Sequence, residues 1–274
     1  MTFAYLSTHE AIVRVALFTA AFGALAVLEL LVPRRRLTRG RWSRWPVNLG
    51  LMLIYIALTR LAAPLATVGV AIWAAAEQKF GLFNLLPGLT WLEAGLAVIA
   101  LDAAVWMQHV ASHRVPWLWR LHRVHHSDVG FDLTTGVRFH PGEVLLSLAF
   151  KAAVVVALGA SPTATLIFEL TLSLGALFTH ANVRLPVGLD RMLRRLFVTP
   201  DMHRVHHSVV RAETDSNFGF GLSVWDRLAG LYRPDAAAGQ SDVVFGLAEF
   251  RSPEDNRLDR LITQPLRPTR DGPD

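Results

Sequence analysis

Cysteine is absent from the 274 residues, lysine occurs only at positions 79 and 151, and charged side chains make up just 18% of the chain. Without cysteine there can be no disulfide, no thiolate-bound iron–sulfur cluster and no cysteine nucleophile, so any metal must be held by nitrogen and oxygen donors. A soluble domain carries nearer a quarter of its residues as charges. The shortfall, with 52% hydrophobic residues and a mean hydropathy of +0.35, points to the membrane class. No linker rich in proline, glycine and serine divides the chain. The N-terminus also lacks a basic lead-in and a small-residue cleavage signal, so residues 11–32 read as a retained span rather than a signal peptide.

The positive charge is almost all arginine, and the formal net charge is +5. Its clusters flank apolar runs, which favours an anionic membrane surface over nucleic acid. Residues 11–32 are long enough to cross a hydrocarbon core of about 30 Å. The next stretch, PRRRLTRGRWSRWP, holds Arg34, Arg35, Arg36, Arg39, Arg41 and Arg44 with Trp42 and Trp45 as interface anchors. Such a loop belongs on the cytoplasmic side. A second apolar stretch, Val47 to Ala76, is interrupted by Arg60 and Pro64 and can cross with a kink. Residues 77–90 read as a connection on the opposite side, and a third span from Trp91 to Gln108 brings the chain back. Two shorter apolar segments, Val144–Leu158 and Pro162–Thr179, read as a hairpin that returns to the side it left. The residues thus predict an all-α, multi-pass integral membrane protein with three regions. These are an N-terminal transmembrane region 1–100, a histidine-rich domain 101–232 that includes the hairpin, and a polar tail 233–274 to which no chemistry is assigned. Within the tail VVFGL is strand-like, and FGFGLSVWDRLAGLY (218–232) reads as an amphipathic segment lying on the membrane or on the histidine domain.

Histidine carries the chemistry. His109, His113, His122, His125 and His126 fall within eighteen residues, and LHRVHHS at 121–127 returns as MHRVHHS at 202–208 with His203, His206 and His207. Side chains three and four apart share a helix face, so each block can offer several imidazoles to one small volume. His180 is a ninth candidate, and His140 is a tenth whose rival role is a hydrogen bond in a substrate pocket. A catalytic zinc takes three protein ligands and a structural one four, so eight to ten histidines imply two metals with four or five each. Imidazole suits iron, zinc, nickel and copper alike. The absence of a Glu-x-x-His pair disfavours a carboxylate-bridged four-helix centre. A metal pair at the ends of apolar helices is well placed to receive a lipid from the bilayer and electrons from the cytosol.

These boxes, with the words VPWLWRLHRVHHSD, TTGVRFHP, LFTHANVRLP, VTPDMHRVHHS and DSNFGFGLSVWDRL and with Asp102 ahead of the first box, resemble the fatty acid hydroxylase superfamily, which includes sterol desaturases and C-4 methylsterol oxidases. The resemblance covers about residues 100–230. It implies a short helical stem under a cytoplasmic histidine-rich catalytic cap, a non-haem di-iron centre, O₂ as co-substrate and a membrane lipid as substrate, hydroxylated or desaturated at a C–H bond. It implies that His109, His113, His122, His125, His126, His203, His206 and His207 are ligands and catalytic, that His180 joins them, and that His140 is a further ligand. Such a site can be filled by zinc in place of iron during purification. No fused cytochrome domain is present, so a separate ferredoxin or cytochrome with its reductase is expected to supply electrons, in a membrane of the bacterial inner-membrane kind. Ala229, where an aromatic often follows WDRL, and Phe218, in place of a common tyrosine, depart from the pattern and bear on substrate fit more than on metal binding.

Other polar residues are weighed against plainer roles. Asp128, Asp132, Asp201 and Asp215 can orient ligand imidazoles or serve as solvated caps. Asp102, within a span, is expected to face inward toward a ligand or an arginine. Arg123 and Arg204 can bind lipid phosphate, pair with aspartates or be surface charges. Trp117 and Trp119 are interface anchors or line a lipid entrance, Asn182 is a candidate for holding a metal-bound water, and His9 reads as a solvated terminal residue. Two other functions remain open: a metal-dependent lipid hydrolase, active without O₂ or reductant, and a metal transporter, which would place ligands along a pore.

Overall fold

The computed structural model describes residues 3–62, 66–75, 81–85 and 90–268, with side chains from residue 10 onward apart from that of Thr90. His9 as a side chain, Pro64, and most of the 77–90 connection therefore lie outside the described residues. Four helices are long and apolar enough to cross a membrane: Glu10–Leu31 within α1 (Phe3–Leu31), Trp91–Arg114 within α4 (Thr90–Arg114), α6 (Pro141–Leu158) and α7 (Pro162–His180). Between α1 and α4 the chain forms α2 (Arg41–Leu61) and a short α3 (Thr67–Trp73), so the second apolar stretch is two pieces rather than one rod. The chain is all-α and membrane-spanning. Among the described residues β pairing is limited to three isolated bridges, and the strand-like VVFGL contributes one of them, Ser208 with Phe245.

Proline sets where the site-bearing helices begin. Pro116 opens α5 (Pro116–His126), Pro141 opens α6, Pro162 opens α7 and Pro200 opens α9 (Pro200–His206). At the first turn its missing N–H is no loss and its fixed φ is already helical. Thr199 and Ser161 complete two of these starts, their hydroxyls accepting the N–H of Met202 and Ala164. At the other end of α6, Gly159 adopts φ 66°, and a Cβ on Gly81 would lie 2.4 Å from its nitrogen. Two backbones therefore meet there, and the 81–85 turn sits at the end of the bundle away from His140 and His180.

The stem packs through small and aliphatic side chains. Ala97, Leu101 and Val105 of α4, Val155 of α6, Ala164 and Phe168 of α7 and Ala71 of α3 form one buried cluster. Arg14 reaches Glu169 at one level (3.5 Å), and Glu29 accepts the Asn182 N–H (2.7 Å) and the Leu133 N–H (2.8 Å) at the other. Helices α1 and α7 thus rise side by side, and the arginine-rich loop 33–44 emerges on the histidine side, as the sequence led us to expect. Lys151 and Thr67 also bond to Glu169, each at 2.8 Å, which answers the need of a buried carboxylate for partners.

Above the stem lie the shorter helices α8 (Val187–Leu193), α9, α10 (Arg211–Thr214), α11 (Val224–Leu228), α12 (Gly239–Asp242) and α13 (Leu258–Thr263). The C-terminal segment is part of this cap. Val243 and Phe245 pack on Phe131 and Val205, and Leu261 packs on Leu51 and Val124.

Candidate metal centre

The helix period explains how the histidines are shared out. Successive residues turn by 100°, so His125 and His126 point apart while His122 and His126 share a face. Five imidazoles converge in one group, His109, His113, His122, His126 and His206, and four in another, His125, His180, His203 and His207. All nine are buried. The α4 pair 109/113 and the α5 pair 122/126 serve the first group, the pair of His203 on α9 and His207 just past its end serves the second, and each HRVHH block lends its remaining histidine to the other group. The end of α7 adds His180.

Within each group the ring nitrogens are close. Nε2 to Nε2 distances are 3.0 Å for His109–His122, 3.1 Å for His113–His126, 3.2 Å for His122–His126 and 3.1 Å for His109–His206. In the second group His180 Nε2 lies 3.2 Å from His125 and 3.1 Å from both His203 and His207. Five Nδ1 atoms face groups that only accept: Phe218 O at 2.6 Å for His109, Ser216 O at 2.8 Å for His206, Glu143 Oε1 at 2.6 Å for His122, Ala176 O at 2.7 Å for His180 and Arg138 O at 3.3 Å for His125. Each Nδ1 must therefore carry the ring proton, which leaves Nε2 as a bare lone pair. His125, His126, His203 and His207 are driven well below the usual imidazole range by burial and then by neighbouring imidazoles, and His206 is driven down to about 3, with burial the largest cause. Lone pairs turned on one another at about 3 Å repel unless a cation lies among them, and metal–nitrogen bonds of about 2.0–2.1 Å fit ligand atoms so spaced. The donor set fits two metal ions.

His140 is not brought to either group. It caps α6, its Nδ1 accepting the Gly142 N–H at 3.0 Å while Nε2 donates to Ile262 O at 3.1 Å, so both ring nitrogens are engaged elsewhere. Of the four aspartates expected behind ligands, only Asp215 approaches one, 3.4 Å from His113 Nδ1. Asp128 and Asp132 take Arg44, and Asp201 takes Arg34 and Arg204. Asp102 faces inward as expected, yet its partners are the Trp225 indole (2.7 Å) and the Leu222 N–H (3.2 Å), not a ligand or an arginine. Asn182 exchanges two hydrogen bonds with the Arg35 backbone, at 3.2 and 2.8 Å, away from the imidazoles. Arg123 and Arg204 are buried rather than surface charges: Arg123 donates to the carbonyls of Gln264 and Arg267, and Arg204 lies over Phe131. Trp117 is exposed, whereas Trp119 is buried with its ring 5.0 Å from His113.

Sequence reasoning missed Glu143 and the carbonyl acceptors. A carbonyl has no residue signature, but Glu143 lies two residues beyond the word TTGVRFHP, in the first turn of α6 and on the side that faces α5.

With this geometry in hand, comparison with known proteins gives the class. Residues 94–231, half of the chain, match the fatty acid hydroxylase family, and the chain belongs to that family. Among similar proteins, ornithine lipid hydroxylase OlsE of Rhizobium tropici is 35% identical over 54% of this chain and 44% of its own length. Human alkylglycerol monooxygenase is 30% identical over 62% of this chain and 36% of its own. A cholesterol 25-hydroxylase-like protein of Danio rerio is 32% identical over 51% of this chain and 54% of its own. The chain thus matches roughly a third to a half of each relative's length. No solved structure matches.

Proposed function

We propose that this protein is an O₂-dependent membrane oxidoreductase whose two histidine groups hold a pair of iron ions and which hydroxylates or desaturates a lipid C–H bond. The observation that carries the reading is the pair of buried groups, five and four imidazoles, with unprotonated Nε2 atoms about 3 Å apart at one end of the apolar spans. A metal pair so held supplies the reduction of O₂ and the oxidising power that no side chain here has. The chain's own residues do the rest. Glu143, Phe218 O, Ser216 O, Ala176 O and Arg138 O fix the tautomer of five imidazoles. Phe131, Phe139, Phe218 and Phe220 pack on the rings and keep water from them. The stem helices present apolar surface along which a lipid chain reaches the cap.

Three similar proteins are named for ornithine lipids, alkylglycerols and a sterol, which supports a lipid substrate without selecting one. The arginine-rich loop beside the histidine groups supports a cytoplasmic site, where a separate electron-carrier protein would dock. The test is iron quantification on protein from iron-replete cells, with reductant-dependent O₂ uptake in the presence of lipid extract and mass analysis of the products. Two irons per chain and a gain of one oxygen or loss of two hydrogens are expected. A full complement of zinc with no turnover, or turnover that continues without O₂ and reductant, overturns the reading, the second outcome in favour of a hydrolase.

A further inference from the structure

Four buried or half-buried side chains on two elements have no part in that chemistry. Asp102 and Trp106 stand one turn apart on α4, and Trp225 and Asp226 are neighbours in α11. They exchange partners: the Trp225 indole N–H donates to Asp102 (2.7 Å) and the Trp106 indole N–H donates to Asp226 (3.0 Å). Each carboxylate spends its remaining capacity on the backbone between them. Asp226 accepts the N–H groups of Phe218 and Gly219, both at 2.9 Å, and Asp102 accepts that of Leu222 at 3.2 Å. The glycines of FGFG make this possible. A Cβ at Gly221 would stand 2.4 Å from Asp102 Oδ1, and one at Gly219 would stand 2.8 Å from Leu222 O and 3.1 Å from Asp226 Oδ2. Asn217, fully buried at φ 54°, completes the turn by donating to Met202 O (2.9 Å) and Arg233 O (2.8 Å) and accepting the Arg233 N–H (2.9 Å).

This clasp faces one histidine group. The carbonyls of Ser216 and Phe218, on either side of Asn217, accept the Nδ1–H of His206 and His109, and Phe220 stacks on His109 with ring centroids 4.7 Å apart. Both histidines belong to the five-membered group. The hydrogen bonds of the other group go elsewhere, from His180 to Ala176 O and from His125 to Arg138 O.

We infer that Asp226, braced by the reciprocal Asp102–Trp225 pair, is a positioning residue for the metal of the five-histidine group, acting through the Phe218 peptide on His109. Its carboxylate holds the Gly219 N–H, which shares a peptide unit with the Phe218 carbonyl, and the Phe218 N–H on the other side of that residue; the Phe218 carbonyl holds the His109 ring, and the His109 Nε2 lone pair is thereby aimed at the metal. The inference rests on the reading of both groups as metal sites, and its test separates the two. Full-length protein in detergent, stripped of metal, is titrated with Co(II) and followed by visible absorption and by metal-to-protein ratio. Two single-group backgrounds isolate the sites: His203→Ala leaves the five-histidine group intact, and His113→Ala leaves the four.

Asp226→Asn replaces one acceptor oxygen with an NH₂ turned toward a backbone N–H. It is expected to weaken Co(II) binding about 10–100-fold in the His203→Ala background and to leave it unchanged in the His113→Ala background. Asp102→Asn is expected to act in the same direction and less. Equal weakening in both backgrounds would show a merely structural role and overturn the inference, as would unchanged binding in both. Should Asp226→Asn fail to fold, Trp106→Phe, which deletes only the indole bond to Asp226, must show a smaller loss confined to the His203→Ala background, and no loss there overturns the inference equally. If the unsubstituted protein does not take up two metals, it is the metal-site reading that fails.

Discussion

The two histidine groups share a ligand type but not a foundation. Behind the five-histidine group stand two carboxylates, Glu143 at His122 and Asp215 3.4 Å from His113 Nδ1, and the carbonyls of one loop, Ser216 and Phe218. Behind the four-histidine group stands a buried ionic network. Arg138, whose carbonyl accepts from His125, sends its guanidinium to Val124 O, Asn48, Ser127 and Asn256. Asn48 in turn shares Asp128 with Arg44, which also holds Asp132. Burial pushes the Asp128 carboxyl up, but Arg44 outweighs it and holds the group well below the usual carboxylate range. One group is therefore adjustable by local contacts, while the other is joined to the part of the cap that holds the fold together.

The largest effect tests the second half of that contrast. Arg44→Met leaves Asp128 and Asp132 buried without their cation, and removing one partner of a buried ion pair costs about 3–5 kcal/mol. The expected result is a steep fall in melting temperature and yield, with both metals lost together. A variant that melts normally and loses only the four-histidine metal would show that the network serves that site alone. Next in size, Glu143→Gln removes the charge that accepts from His122 Nδ1 and is expected to weaken the five-histidine metal about 10–100-fold, or about 1.4–2.7 kcal/mol. Metal titration in the single-group backgrounds reads it, and a loss shared by both groups would erase the distinction between the foundations.

How much of this was legible before the structure follows from what kind of atom does the work. The clustering of nine imidazoles and the common side of the arginine loop and the histidines are readable, because imidazoles, charges and apolar runs are residue types with fixed periods. The division into five and four was latent in the 100° step but required the directions of α4, α5, α7 and α9. The supports were not readable. Carbonyl acceptors such as Phe218 O leave no mark in the sequence, and Arg44 reads as one of six interfacial arginines although it is fully buried. Asp128 and Asp132 lie next to a box in sequence, which suggests a place behind the histidines. They turn instead to the first turn of α2, which the apolar-run reading placed in a surface loop. The FGFGLSVWDRL stretch reads as amphipathic because Leu222, Trp225 and Leu228 recur near helical spacing, yet only Val224–Leu228 is helical and the glycines before it wrap the site.

The smallest effect concerns a residue that chemistry alone places with the ligands. His140 lies two residues after Arg138, whose carbonyl accepts from His125, and has the same side chain as the nine clustered histidines, so the fold's placement of it decides its role. Its Nδ1 is an acceptor for the Gly142 N–H and its Nε2 is a donor to Ile262 O, and a nitrogen that donates has no lone pair for a metal. His140→Ala should therefore remove a helix cap and a tie to the C-terminal segment, costing about 1 kcal/mol, and leave two metals per chain. His140→Asn, which can accept from the same N–H, should restore most of the lost stability. If His140→Ala instead lowered the metal content of one background and not the other, that group would gain a sixth or fifth imidazole, and the contrast between the two sites would have to be redrawn around α6 rather than around the clasp and the ionic network.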